Sequence, residues 1–241
     1  DNLAIGYDAL GGAIAGGEYN VAIGNYSLDA TTSGDANTAI GYNSLTANTT
    51  GNYNTASGYH ALASNTTGSR NTASGNYALT SNTTGVDNTA SGYHALYSNT
   101  EGNYNTASGR AALYYNTTGS NNTTSGYYAL VSNTTGVDNT ASGFKALYAN
   151  TTGERNLAIG YQTLDAADTE DDNLAIGYDA LGGAIAGGEF NVAIGNYSLD
   201  ATTSGDNNTA TGYDALTGTT TGADNTALGY DAGDVITTGS Q

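Results

Sequence analysis

Four residue types are missing from the 241-residue chain: cysteine, proline, methionine and tryptophan. Without cysteine there is no disulfide framework, no thiolate nucleophile and no cysteine-based metal site. Two histidines leave little for imidazole ligation or histidine-based catalysis. Lysine and arginine total 4 against 22 aspartates and glutamates, a formal charge of −18. A chain this acidic lacks the basic surface that a phosphate backbone needs, so nucleic acid is excluded as a partner. No run approaches 18 apolar residues, so no helical membrane insertion is expected. The chain opens on neither a methionine nor a basic, apolar-cored leader, and we read it as a piece of a longer product. Large aliphatics are also scarce: Leu, Ile, Val and Phe make up 34 residues. Such scarcity with high net charge is the composition of a disordered chain. The order of the residues argues otherwise.

Asn-x-Ala-x-Gly recurs from Asn2 to Asn225 in fourteen units, twelve of 17 residues and two of 18, which together account for the whole chain after Asp1. One unit carries Asn54, Ala56, Gly58 and Leu62 at repeat positions 1, 3, 5 and 9, and another carries Asn88, Ala90, Gly92 and Leu96. These are the expected structural residues of each rung. Position 6 is aromatic in ten units. Residues 1–42 match 172–213 with three differences, an offset of 171 residues or ten units. The chain thus reads as a single repeat domain, 1–241, with a ten-rung block over 1–171 and a second block beginning at 172.

Seventeen residues are too few for a helix-pair repeat or a propeller blade, and suit one coil of a parallel β-solenoid. Asn-x-Ala-x-Gly alternates with period two and predicts one strand. A second is expected near positions 6–10, around Tyr, Ala and Leu. Asn-Thr-Thr-Gly at positions 12–15 predicts the return turn, with Asn bonding locally or stacking in a ladder. The absence of proline fits ladders that must donate and accept throughout. Gly11–Gly17 and its copy Gly182–Gly188 read as an architectural variant of the turn.

Positions 2 and 4 carry Val21 and Ile23, Leu157 and Ile159, Leu174 and Ile176, and Val192 and Ile194. If Ala faces the interior, these pairs face outward and call for a second copy of the chain. The opposite orientation buries them and exposes Ala.

Asn20-Val21-Ala22-Ile23-Gly24, Asn191-Val192-Ala193-Ile194-Gly195 and the Leu-Ala-Ile-Gly segments at Leu3, Leu157 and Leu174 resemble the repeat signature of trimeric autotransporter adhesin heads. The resemblance implies a left-handed parallel β-roll, association of three chains into a fibrous head, and attachment to host matrix or other cells. The wider pattern also looks like repeats of phage tail fibres and large bacterial surface proteins. The unit here is longer than that family's usual one, and its middle copies carry Thr and Ser in place of the aliphatics.

Residues 54–155 hold all four basic residues and only four acids, so the −18 charge belongs to the flanks. The run Asp168, Glu170, Asp171 and Asp172 is the calcium candidate, because Ca²⁺ takes clustered oxygens; otherwise it is a solvated acidic face. No other cofactor is expected. In the central block positions 2 and 4 form Thr/Ser pairs, among them Thr89 with Ser91 and Thr106 with Ser108. Stacked in register they make two hydroxyl columns, roughly 4.8 Å apart along the axis and roughly 6.7 Å along the strand. Such arrays resemble those of ice-binding solenoids, or form a hydrogen-bonded ladder inside an oligomer. Tyr97, Tyr114, Tyr115 and Tyr148 at and beside position 10 form either a packing ladder or a surface for sugars or protein. Asn-x-Ser/Thr sequons recur, most of them within the Asn-Thr-Thr-Gly turn. No nucleophile–base–acid constellation is apparent, and no enzyme is expected. The expected function is an extracellular fibre or adhesin segment at a cell surface or on a virion. Its partners would be other copies of itself and a surface receptor or glycan. The alternative is an ice-binding or carbohydrate-binding module.

Overall fold

A computed structural model describes residues 1–12, 16–183, 187–234 and 238. The centres of the two Gly-rich turns, 13–15 and 184–186, lie outside the described residues. The protein is all-β, with one three-residue strand in each of its fourteen repeats and no helix among the described residues.

The chain divides into two compact units, 1–121 and 122–241. The first holds β1 (Leu3–Ile5), β2 (Val21–Ile23), β3 (Thr38–Ile40), β4 (Thr55–Ser57), β5 (Thr72–Ser74), β6 (Thr89–Ser91) and β7 (Thr106–Ser108). The second holds β8 (Thr123–Ser125), β9 (Thr140–Ser142), β10 (Leu157–Ile159), β11 (Leu174–Ile176), β12 (Val192–Ile194), β13 (Thr209–Thr211) and β14 (Thr226–Leu228). Within each unit every strand pairs in parallel with the strand one repeat away, equivalent residues opposite each other, as Ala56 opposes Ala73. This is the parallel β-solenoid that the repeat length predicts.

Alternation along the strand decides the orientation of the rung. Ala56, Ala90 and Ala158 are fully buried, while the residues on either side of them face out. The interior of a rung is thus Ala at position 3 (Thr124 in one rung), Ala, Ser or Thr163 at position 8, and Leu at position 9, with Leu62 and Leu96 fully buried.

The expected second strand does not form. Positions 7 and 9 have left-handed backbone, as at His60 (φ 54°) and Leu62 (φ 54°), and so does position 17, as at Arg70 (φ 58°). A strand would send neighbouring side chains to opposite faces. Here Ala61 and Leu62 are consecutive and both fully buried. Left-handed residues within the segment turn its peptide groups in opposite directions. The His60 N–H donates back to Tyr42 (3.0 Å), and the Leu62 N–H donates forward to Ala78 (2.9 Å). Each rung therefore bonds both neighbours without strand geometry. A left-handed leucine costs roughly 1–2 kcal/mol, and burying its side chain recovers roughly 1.5–3 kcal/mol. Position 5 must be glycine. Gly58 has φ +143°, and a Cβ there would collide with the Gly75 carbonyl of the next rung.

Two columns of buried asparagine complete the core. At position 1, the Asn54 N–H donates to Asn37 Oδ1 (2.9 Å) and Asn54 Nδ2 donates to Gly68 O (2.8 Å). Its own Oδ1 receives the Asn71 N–H (3.0 Å). At position 12, Asn65 Nδ2 donates to Asn48 Oδ1 (2.8 Å) and Gly68 O (2.9 Å), and its Oδ1 receives Asn82 Nδ2 (2.8 Å). The second column is interrupted by sequence. Position 12 is Ala167 in the rung after Asn150, and Asn150 Oδ1 is left buried without a partner. Thr31, Thr202 and Thr219 stand at the same position, and their buried hydroxyls are also unpartnered.

Breaking and mending this column should have opposite signs. Asn82→Ala strands the Asn65 oxygen and should cost about 1–3 kcal/mol. Ala167→Asn gives Asn150 its missing donor and should stabilise by about 1 kcal/mol. Urea unfolding of both variants measures this, and destabilisation by Ala167→Asn would contradict the ladder account.

Candidate functional site

With the interior uniform, rung-to-rung differences are written on the outer columns. In the first unit the strand face begins apolar. Leu3 is 48 % exposed, Ile5 56 % and Ile40 43 %, and Val21 and Ile23 are half-buried. From β4 to β7 the same two columns become Thr55, Thr72, Thr89 and Thr106 beside Ser57, Ser74, Ser91 and Ser108, all exposed. In the second unit β8 and β9 carry hydroxyls, and β10 to β12 return to Leu157 with Ile159, Leu174 with Ile176, and Val192 with Ile194. These aliphatics are half-buried, except that Ile159 and Ile194 are exposed. The structure therefore brings Thr89, Ser91, Thr106 and Ser108 together on one face, with the aliphatic pairs of β1 and β2 in line above them.

Among the described residues the exposed hydroxyls of Thr55, Ser57, Thr72, Ser74, Thr89, Ser91 and Ser108 make no hydrogen bond. The threonines of the turn differ, since Thr66 Oγ1 donates to Thr83 O (3.1 Å) and Thr83 Oγ1 to Thr100 O (3.1 Å). The seven strand-face hydroxyls thus form no closed ladder among the described residues.

A column of aromatic rings occupies the corner beside the strand face. Tyr42 and Tyr59 stack at 5.5 Å, and Tyr161 and Tyr178 at 5.1 Å with their planes 1° apart. Where the ring moves to position 7, as at Tyr77, it meets Tyr59 edge-on at 5.2 Å. Both histidines sit in this column, half-buried: His60 against Tyr59 at 4.3 Å and His94 flat on Tyr93 at 4.0 Å. Burial, with Arg110 nearby, lowers the His94 pKa. Tyr97 and Tyr114 stack at 5.0 Å, and Tyr115 packs edge-on against Tyr114. Stacking of Tyr97 on Tyr114 covers one face of each ring. Tyr148 lies in the second unit, with the Lys145 ammonium 4.8 Å from its ring centre.

The acidic run is drawn to separate partners inside the chain. Asp172 takes a two-point ion pair from Arg155 (2.8 and 2.9 Å), which also reaches Glu154 and Asp171. Asp168 accepts from the Thr151 hydroxyl. Glu170 stands where other rungs have glycine, and its buried carboxylate is held by three backbone N–H groups, of Asp168, Thr169 and Gly187 (2.7–2.9 Å). Among the described residues no three acidic or histidine side chains are gathered as a metal site. The missing position-15 glycine is visible in the sequence, but the Gly187 donor is not, because it comes from the next rung.

The sequons divide by position. Asn48, Asn65, Asn82, Asn116, Asn133 and Asn150 are buried in the position-12 column, whereas Asn25, Asn121, Asn196 and Asn207 are exposed. Among the described residues no helix is long and apolar enough to cross a membrane.

At another corner, Asp165, Asp179, Asp200 and Asp214 come from four successive rungs. Burial first, and then the neighbouring aspartates, raise the pKa of Asp200; burial and Asp179 do the same for Asp165. A raised folded pKa means stability present below the unfolded value and lost as pH rises through the folded one. Asp200→Asn should therefore raise the melting temperature at pH 7 and make little difference near pH 3. An Asp200→Asn gain that is equal at both pH values would contradict this.

Compared with protein-family models, curated proteins and solved structures, the chain matches none.

Proposed function

We propose that the chain is a segment of an extracellular structural fibre, on a cell surface or virion, built from three copies associated along the strand face. The observation that carries this reading is the outward-facing aliphatics of β1–β3, with Leu3, Ile5 and Ile40 each more than 40 % exposed and Val21 and Ile23 half-buried. The interior beneath is already filled by Ala and Leu, so these side chains have no use within the rung. Covering each is worth roughly 1.5–3 kcal/mol before association costs. The likeness of Val-Ala-Ile-Gly and Leu-Ala-Ile-Gly to trimeric adhesin heads supports three copies, a left-handed coil and an adhesive role. In this reading the protein is not an enzyme. The stacked ladders hold the outer columns in register, and those columns meet a surface receptor or glycan.

A second reading rests on the exposed, regularly stacked hydroxyls of β4–β7. If the strand face is free, its two regular columns suit ordered water at an ice surface, or a carbohydrate. Solution mass separates the two readings. Light scattering should give a trimer, and the double substitution Val21→Asp, Ile23→Asp should shift it toward monomer with an unchanged circular dichroism spectrum. A well-folded monomer of the unaltered chain would overturn the fibre reading. Thermal hysteresis from that monomer, lost on Thr89→Tyr, would establish the second.

A further inference from the structure

The chain carries 20 tyrosines and no cysteine, methionine or tryptophan. Cysteine and methionine are the usual sinks for oxidants, and tryptophan competes with tyrosine for one-electron oxidation. Here tyrosine stands almost alone, and the fold stacks its rings in pairs from consecutive rungs. Tyr161 and Tyr178 lie 5.1 Å apart and 1° from parallel, and are 43 % and 41 % exposed. Tyr213 and Tyr230 lie 5.3 Å apart at 8°, and are 42 % and 74 % exposed. Both pairs are open to a diffusing oxidant and close enough for their rings to meet through small side-chain rotations.

We propose that these stacked tyrosine pairs are sites of oxidative cross-linking, joining successive rungs of one chain through dityrosine. The oxidant is hydrogen peroxide acting through a haem peroxidase. Each phenol gives up one electron to the oxidised haem and its proton to water. The two phenoxyl radicals join by a carbon–carbon bond between positions ortho to the oxygens. Two ring protons then move to those oxygens and restore both phenols. The sum is two tyrosines and one peroxide giving one dityrosine and two waters. Phe144 stacks on Tyr161 from the other side at 4.9 Å and forms no phenoxyl radical. Of its two stacked neighbours, Tyr161 can therefore join only Tyr178. The same phenylalanine shows that a phenyl ring fits this position of the rung.

The test is peroxidase and peroxide on the dilute folded chain. Readouts are dityrosine fluorescence, intact mass and peptide mapping after cleavage at acidic residues, which lie between the two members of each pair. The expected result is a product with the denatured mass of a single chain that loses two hydrogens per link. Peptides containing Tyr161 and Tyr178 should be joined, as should those containing Tyr213 and Tyr230. Tyr161→Phe should abolish the first link and leave the second. The proposal is overturned if the folded chain gives the same scattered linkage map as the urea-unfolded chain. It is overturned equally if no dityrosine forms, or if links join only separate molecules.

Discussion

Each rung passes amide donors and acceptors to the rungs on either side, and this exchange replaces most of what a hydrophobic core would do. A rung contributes one leucine and two small residues to the interior, too little to hold a coil closed by burial alone. The remainder is asparagine, whose amide is costly to bury unless its hydrogen bonds are met. An identical asparagine one rung away, at a spacing of about 4.8 Å, offers the matching donor and acceptor. The repeat is therefore a physical requirement. Changing one Asn leaves a neighbour unsatisfied, as Asn150 shows beside Ala167.

Much of this was legible in the sequence. Asn-x-Ala-x-Gly predicts the strand and its parallel register, but period two admits two orientations, and the buried Ala56, Ala90 and Ala158 decide between them. The neighbouring segment was misread. Tyr, Ala and Leu look like strand, and leucine is a poor candidate for left-handed backbone. The available clue was that Ala and Leu at positions 8 and 9 are adjacent apolar residues in nine of the fourteen units, which a strand cannot bury together. The hydroxyl columns were legible because they share the strand's alternation. The fate of the acidic run was not, because Arg155 and Gly187 approach it from adjacent rungs.

A fixed interior leaves the exterior free to vary. Position 2 changes from Val21 to Thr38 between β2 and β3, and position 4 from Ile40 to Ser57 between β3 and β4, without altering the three-residue strand or its pairing. Charge varies in the same way. The corner aspartates of the second unit repel one another, while Arg155 gathers Glu154, Asp171 and Asp172. Chemical identity thus resides in columns, and each column is read along consecutive rungs.

The central claim is that side-chain amide ladders, more than apolar burial, hold rung to rung. Native-state hydrogen exchange tests it at leucine amides that have the same bonds but different ladders. Leu79 and Leu96 donate at 3.0 Å beside an unbroken position-12 column, and Leu164 and Leu199 donate at 3.0 Å beside Ala167 and Thr202. All four side chains are fully buried. If the ladders govern, Leu79 and Leu96 should exchange more slowly by roughly ten-fold or more, the equivalent of about 1–3 kcal/mol. Equal protection at all four amides would contradict the account.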